Sequence, residues 1–139
     1  MNNPCPSGPV NNRGSKVSLL GALPHTAVQF TARFWKQHQE VNARVSLRHG
    51  YHILRQNGAF ESFRRCAGLP VLEEPNPEVH EGRDTDVYKW LEAVAWQTAH
   101  IEDPELRGYI NEVVPLIEAA QAEDGYLVTP ILLFHPEKR

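Results

Sequence analysis

Cysteine is scarce in this chain, which holds only Cys5 and Cys66 among its 139 residues. Two cysteines so far apart in sequence are too few for a disulfide framework, and they do not form a C-x-x-C metal knuckle. A small secreted scaffold held together by disulfides is therefore excluded as a class. The sequence favours a reducing compartment, and we expect a cytoplasmic protein.

An excess of one charge sign and a long hydrophobic run are also lacking. Lys and Arg together number 14 and Asp and Glu 17, so the net charge of −3 is too small to attract nucleic acid or an anionic membrane. No stretch approaches the ~18 consecutive apolar residues of a membrane span, and residues 1–9 lack the basic and apolar regions of a secretory signal. We expect neither a nucleic-acid partner nor a membrane partner.

Composition divides the chain into two parts. Residues 1–26 are rich in Asn, Pro, Gly and Ser, a composition that resists both helix and sheet, so we expect a disordered or extended N-terminal segment there. Residues 27–139 are enough for a single domain with its own small core.

Apolar spacing in the second part predicts an all-α fold of paired antiparallel helices. Helices are predicted over 35–56, over 59–67, over 86–100 and from 104 to about 120. The short loop between the last two makes them antiparallel neighbours. Residues 69–83 are rich in proline and acids and are predicted to form a long loop.

The first helix carries the apolar stripe that defines its buried face. Leu47, Tyr51 and Leu54 recur at i, i+4 and i+7, which is the spacing of one helix side. Val41 and Val45 are predicted to widen the same stripe. We therefore expect all five side chains to face the core.

Local signals predict where the helices begin and end. Gly58 suits a left-handed cap after the first helix. Asp84 or Asp86 is predicted to cap the helix over 86–100, and Asp103, which precedes a proline, to cap the last one. Pro115 lies inside that last helix and is predicted to kink or split it.

Carboxylates and one aromatic residue, placed at helix ends, make the candidate substrate-binding site: Asp84, Asp86, Asp124 and Tyr126. A helix start favours ionised carboxylates, which suit the role of acceptors for sugar hydroxyls better than the role of a general acid. The glycine turn at 124–126 can aim the phenol into a cleft, where its ring would stack on a sugar. This pattern predicts a carbohydrate-binding helical scaffold.

Structural roles are the alternatives for the same residues. The aspartates can be helix caps, and Tyr126 can pack on its own helix. His49 and His52 lie one helical turn apart without a third ligand at matching spacing, so a surface pair is favoured over a metal site. Cys66 is most simply a small core residue. A nucleophile, an acid and a base cannot be assembled from these residues, and we predict no catalytic residue and no metal ligand.

Several segments, taken together, resemble the opening part of glycoside hydrolase family 127, the β-L-arabinofuranosidases and their relatives. The run Asp-Thr-Asp-Val-Tyr-Lys-Trp-Leu-Glu-Ala is the most specific of them. The resemblance covers roughly residues 27–139 in the family's order and spacing, and the segments are 34–35, 58–65, 84–93, 120–121 and 124–129. Val128 departs from the family, which often has asparagine or aspartate there, so a polar contact from that position is in doubt.

The resemblance implies an (α/α)6 barrel followed by β-sandwich domains, and hydrolysis of terminal β-L-arabinofuranosides. It also implies a retaining mechanism in which a zinc-bound cysteine is the nucleophile and a glutamate is the acid and base. In the family those ligands lie in a later part of the barrel, beyond Arg139. Neither Cys5 nor Cys66 matches a family ligand, so zinc is implied for the full-length family and not for this chain.

Three hypotheses follow. The first is a partial α/α-barrel domain over 27–139, the N-terminal fragment of such a glycosidase, inactive alone and able to associate with itself through exposed helix faces. The second is a small helical binding or assembly module without catalysis. The third is another α/α-barrel sugar enzyme, such as an unsaturated glucuronyl hydrolase, with its catalytic residues among Asp84, Asp86 and Asp124.

Overall fold

A computed structural model describes residues 14–21, 23–72 and 83–139. Most of the predicted N-terminal segment and most of the predicted loop over 69–83 lie outside these residues. The chain divides into two compact units, Met1–Gln39 and Glu40–Arg139, and each is described by itself.

The described part of the first unit is exposed to solvent and has little regular structure. It contains a short 3-10 turn, His25–Ala27, and the beginning of helix α1, Arg33–Val41. Val28 has an extended backbone, but no strand forms among the described residues. Phe34 and Trp35 lie edge to face, with ring centroids 5.1 Å apart.

The second unit consists of helices, and within the described ranges it has no strand. Helix α1 continues through a π-helical turn, Asn42–Ser46, into α2. The helices that follow are α2 (Leu47–Gln56), α3 (Ala59–Cys66), α4 (Arg83–His100), α5 (Pro104–Ala120) and α6 (Thr129–Phe134), and a 3-10 turn, Pro136–Lys138, comes last. Helix α6 was not predicted from the sequence. The helices of the described ranges are too short or too polar to cross a bilayer.

The local end signals act largely as the sequence predicts. Gly58 has a φ of 70° between α2 and α3, so the left-handed cap is confirmed. At the start of α5, the Asp103 Oδ1 atom accepts hydrogen bonds of 3.1 Å from the backbone N–H groups of Glu105 and Leu106, which confirms this N-cap. Pro115 was predicted to kink or split α5. The split is wrong, because α5 continues through Pro115 with buried side chains on both sides, and the kink stays a prediction.

Helix α3 lies at the centre of the second unit, where it packs against α2, α4, α5 and α6. Its Phe63 side chain is completely buried. Helices α4 and α5 are joined by residues 101–103 and pack as antiparallel neighbours. The core side chains come from α2 to α5: Leu47, Tyr51, Ala59, Phe60, Phe63, Val87, Trp90, Val94, Leu106, Val113, Leu116 and Ala120.

The predicted stripe of the first helix needs a correction. Leu47 and Tyr51 are buried, but Val41 and Val45 are 56% and 58% exposed. Two positions correspond to about 200° around a helix, so Val45 lies on the side opposite Leu47. The helix is therefore apolar on two sides, and only one of them packs in the second unit.

Arg48 joins α2 to the start of α5. Its guanidinium donates to Asp103 Oδ2 and to Glu105 Oε2, both at 2.6 Å, and to the carbonyl of Ala43 in the π-helical turn. The Arg48 guanidinium holds the pKa of Asp103 below its ordinary value. The buried Tyr51 ring stacks on the Tyr109 ring, with centroids 3.9 Å apart. These contacts fix α5 against α2.

Replacing Gly50 with alanine should destabilise the protein, because the added Cβ would lie 2.9 Å from Cδ1 of the buried Trp90 ring. Either the ring or α2 must shift, at a cost of roughly 1–3 kcal/mol in the free energy of unfolding. Gly108→Ala is the matched control, because nothing lies within 4 Å of its added Cβ and alanine is favoured over glycine in a helix by about 0.5–1 kcal/mol.

Urea unfolding followed by circular dichroism measures both changes. The midpoint should fall in G50A and rise in G108A. A midpoint that rises equally in both variants would show that Gly50 and Trp90 are not in close contact.

Candidate functional site

The turn between α5 and α6 carries two of the predicted sugar-binding residues. Gly125 has a φ of 88°, and its N–H donates to the carbonyl of Ala122 at 2.8 Å. The Gln121 side-chain amide donates to the Gly125 carbonyl at 2.8 Å, and Asp124 Oδ1 accepts from the N–H of Tyr126 at 3.1 Å. The turn therefore holds its own shape.

Arg139 lies against this turn. Its guanidinium pairs with the Asp124 carboxylate and lies over the Tyr126 ring, 5.2 Å from the centroid. The backbone N–H of Tyr126, followed by the Arg139 guanidinium, holds the pKa of Asp124 below its ordinary value. Asp124 is thus an ionised acceptor on the surface, and Tyr126 is half-buried.

Asp84 occupies a different environment. It is 5% exposed, and its Oδ2 accepts from the backbone N–H of Thr129 at 2.6 Å while its Oδ1 accepts from the Thr129 hydroxyl at 2.7 Å. Thr129 is fully buried and begins α6, whose own N-cap residue, Val128, makes no side-chain capping bond. Asp84 therefore caps a helix that lies 45 residues further along the chain.

The prediction that Asp84 or Asp86 caps the helix they belong to is wrong. Helix α4 begins at Arg83, three residues before the predicted start, so both aspartates lie inside its first turn. Asp86 is exposed and pairs with Lys89 at 3.4 Å. Thr129 was not predicted as a partner of Asp84 because the two residues lie far apart along the chain. The sequence indicated Thr129 only as the last residue of the family-like segment 124–129.

Two weakly acidic groups lie beside Asp84. The Cys66 Sγ is 3.9 Å from the Thr129 carbonyl oxygen, and Tyr88 follows Asp84 by one helical turn. Burial, and after it the negative charge of Asp84, raises the pKa of the Cys66 thiol to about 11 and that of the Tyr88 hydroxyl to about 12. The Tyr88 hydroxyl oxygen is buried and has no hydrogen-bond partner among the described residues. Both groups are neutral near pH 7.

The four predicted residues fall into three contact groups: Asp84 with Thr129, Asp86 with Lys89, and Asp124 with Tyr126 and Arg139. Among the described contacts, no hydrogen bond or ion pair joins one group to another. The prediction that the four side chains contact a sugar stays a prediction.

The described residues do not fit a zinc-thiolate centre. His49 and His52 are exposed, and the part of the chain that the structure describes contains no group of three or more His, Cys, Asp or Glu able to hold a metal ion.

Comparison with known proteins identifies the family. Residues 27–139 match the family model described as β-L-arabinofuranosidase, GH127 catalytic domain. The chain belongs to the GH127 family. Over 48 residues this GH127 chain is 52% identical to the non-reducing end β-L-arabinofuranosidase of Bifidobacterium longum subsp. longum, a stretch that covers 34% of this chain and 7% of that protein.

Two solved GH127 structures resemble the fold. A β-L-arabinofuranosidase from Geobacillus stearothermophilus T6 is 32% identical with a TM-score of 0.71, and the match covers 81% of this chain and 18% of that chain. A GH127 β-arabinofuranosidase is 28% identical with a TM-score of 0.68, covering 79% of this chain and 17% of that one. The helices form an incomplete part of an (α/α)6 barrel. The GH127 chain spans less than a fifth of the length of either solved relative.

The Cys66 thiol should react slowly with iodoacetamide, because only the thiolate is nucleophilic. In a Cys5→Ser background at pH 8, folded protein should be alkylated roughly a hundredfold more slowly than the same protein in urea, where the thiol pKa is about 8.5. The neutral thiol also contributes to stability below about pH 8.5, and this contribution is lost as the pH rises to about 11. Equal alkylation rates in the folded and unfolded protein would contradict the assignment.

Proposed function

We propose that this chain forms part of a GH127 catalytic barrel that acts on terminal β-L-arabinofuranosides, and that it supplies sugar contacts without the catalytic step. The match of residues 27–139 to the GH127 catalytic domain carries this proposal. The substrate class follows from the two β-L-arabinofuranosidases to which the chain is similar, at 52% identity over a short stretch and at 32% identity in a solved structure.

The sugar contacts are assigned to exposed groups of the predicted site. Asp124 and Asp86 are exposed carboxylates, which accept hydrogen bonds from sugar hydroxyls. Tyr126 is half-buried beside Asp124, and its ring face suits the apolar side of a sugar ring. The fourth predicted contact, Asp84, already accepts two hydrogen bonds from Thr129, so it serves the site through that residue.

Cys66 and Asp124 supply neither half of a retaining mechanism. Such a mechanism needs a nucleophile and a carboxylic acid that holds its proton near neutral pH. Cys66 stays a thiol because its pKa is raised, and Asp124 has a lowered pKa, which is the opposite of what a general acid requires. We therefore propose that the isolated chain does not hydrolyse glycosides.

One observation supports a second candidate function, an assembly module without catalysis. Val41 and Val45 are more than half exposed on one side of a helix whose other side is buried. A helix that is apolar on two sides is usually covered on both. A discrete oligomer in light scattering, converted to monomer by Val45→Asp, would favour this function over the glycosidase part.

The isolated chain should release no p-nitrophenol from p-nitrophenyl β-L-arabinofuranoside, with or without added zinc. The physical reason is that the raised pKa of Cys66 disfavours its thiolate and the lowered pKa of Asp124 disfavours its protonated acid. Geobacillus stearothermophilus β-L-arabinofuranosidase serves as the positive control for the substrate. Turnover by the purified chain that persists after repeated chromatography would contradict the proposal that it is inactive alone.

Binding of the sugar is predicted separately from turnover. Titration with methyl β-L-arabinofuranoside should shift the amide NMR signals of Gly125 and Tyr126, with weak affinity. Tyr126→Phe keeps the stacking ring and should retain most of the sugar-induced signal shifts. Tyr126→Ala should lose these shifts. Equal binding by the two variants would exclude Tyr126 as a sugar platform.

A further inference from the structure

We propose that Asp84 is a positioning residue: from helix α4 it holds the first residue of α6, and through it the Asp124–Tyr126 turn, in the place where the sugar binds. This inference rests on the proposed function, because it names the role of a residue of the same site. In this proposal Asp84 does not contact the sugar directly, and it affects sugar binding by holding Thr129 in place.

Asp84 is buried and bonded to Thr129, so its carboxylate is not available to a sugar at the surface. Its two carboxylate oxygens each accept a hydrogen bond from Thr129, at 2.6 and 2.7 Å, and both residues are buried. Hydrogen bonds to an ionised group are about twice as strong as neutral ones, and a buried carboxylate is costly unless it is bonded in this way. The contact therefore fixes Thr129 relative to α4.

Helix α6 depends on this contact for its start. It has six residues, too few to be stable alone in water, and Val128 offers no side-chain acceptor to its first N–H groups. The negative charge of Asp84 lies at that N-terminus, where it is favourable. Asparagine would fit less well at position 84, since its amide offers one acceptor oxygen to the two donors of Thr129.

The position of Tyr126 follows from that of Thr129. The hydrogen bonds of the turn join residues 121–126 to one another, so they fix its shape and tie it to the end of α5. Three chain steps separate Tyr126 from Thr129, a span of at most about 10 Å. Leu127, between them, is partly buried against the core and is a second anchor. Releasing Thr129 therefore loosens one of the two ends that hold Tyr126.

The test uses the full chain and two measurements, amide hydrogen exchange and titration with methyl β-L-arabinofuranoside. Asp84→Asn should speed exchange at Thr129 and Gly125 while leaving Val113 in the core protected, and it should weaken sugar binding about tenfold. Thr129→Val removes only the hydroxyl bond and should weaken binding about threefold. Thr129→Ser keeps the hydroxyl and should restore binding to within about twofold of the original protein.

The control is Glu92→Gln, which changes an exposed acid on the same helix and should alter neither measurement. Unchanged exchange at Thr129 and unchanged binding in D84N would overturn the proposal. If D84N does not fold, the pair at position 129 decides, and equal sugar affinities for T129V and T129S would overturn it.

Failure of the proposed function has a different signature. If the unmodified chain shows no sugar-induced shifts, the sugar site is wrong, and hydrogen exchange alone decides whether Asp84 positions the turn. Faster exchange at both Thr129 and Gly125 in D84N then supports the positioning role, and unchanged exchange at Gly125 excludes it.

Discussion

The hydrogen-bonded pair of Asp84 and Thr129 is the contact on which the described arrangement of α4, α6 and the turn before α6 depends. Both residues are buried, and a buried carboxylate is tolerated only when its oxygens are bonded. The pair meets that condition within the chain, since one threonine supplies both donors. Because the buried Asp84 carboxylate needs hydrogen bonds, it holds Thr129 in place. The position of the surface turn before α6 is thereby constrained.

Other contacts of the second unit lie beside this pair or at another helix start. Helix α3 packs against α4, α5 and α6, and its Cys66 lies beside the Thr129 carbonyl oxygen. On the other side of the unit, Arg48 joins α2 to the start of α5 through Asp103 and Glu105. Both contacts lie at helix starts. Asp84 supplies an acceptor to a backbone N–H of α6, whereas Arg48 holds the Asp103 carboxylate that caps α5.

The sequence predicted those features that are determined locally. The turn at Gly58 and the cap at Asp103 depend on neighbouring residues, and both are confirmed. The capping partner of Asp84 was missed because it lies 45 residues away, and no periodicity links such positions. Helix α6 was missed for another reason, because its six residues are too few to show an apolar stripe of their own. Pro115 does not split α5, because buried side chains on both sides of it hold the helix together.

The Asp-Thr-Asp run shows how a shift in a helix boundary changes the meaning of a motif. A helix starting at 86 would leave both acids in or near the preceding loop, free to face the same ligand. Because α4 starts at Arg83, the two acids lie two positions apart within a helix and therefore point to opposite sides. One is buried on Thr129, and the other is exposed beside Lys89. A pair of carboxylates that looks like one sugar-binding unit in the sequence is thus divided by helix geometry into an internal cap and a surface acceptor.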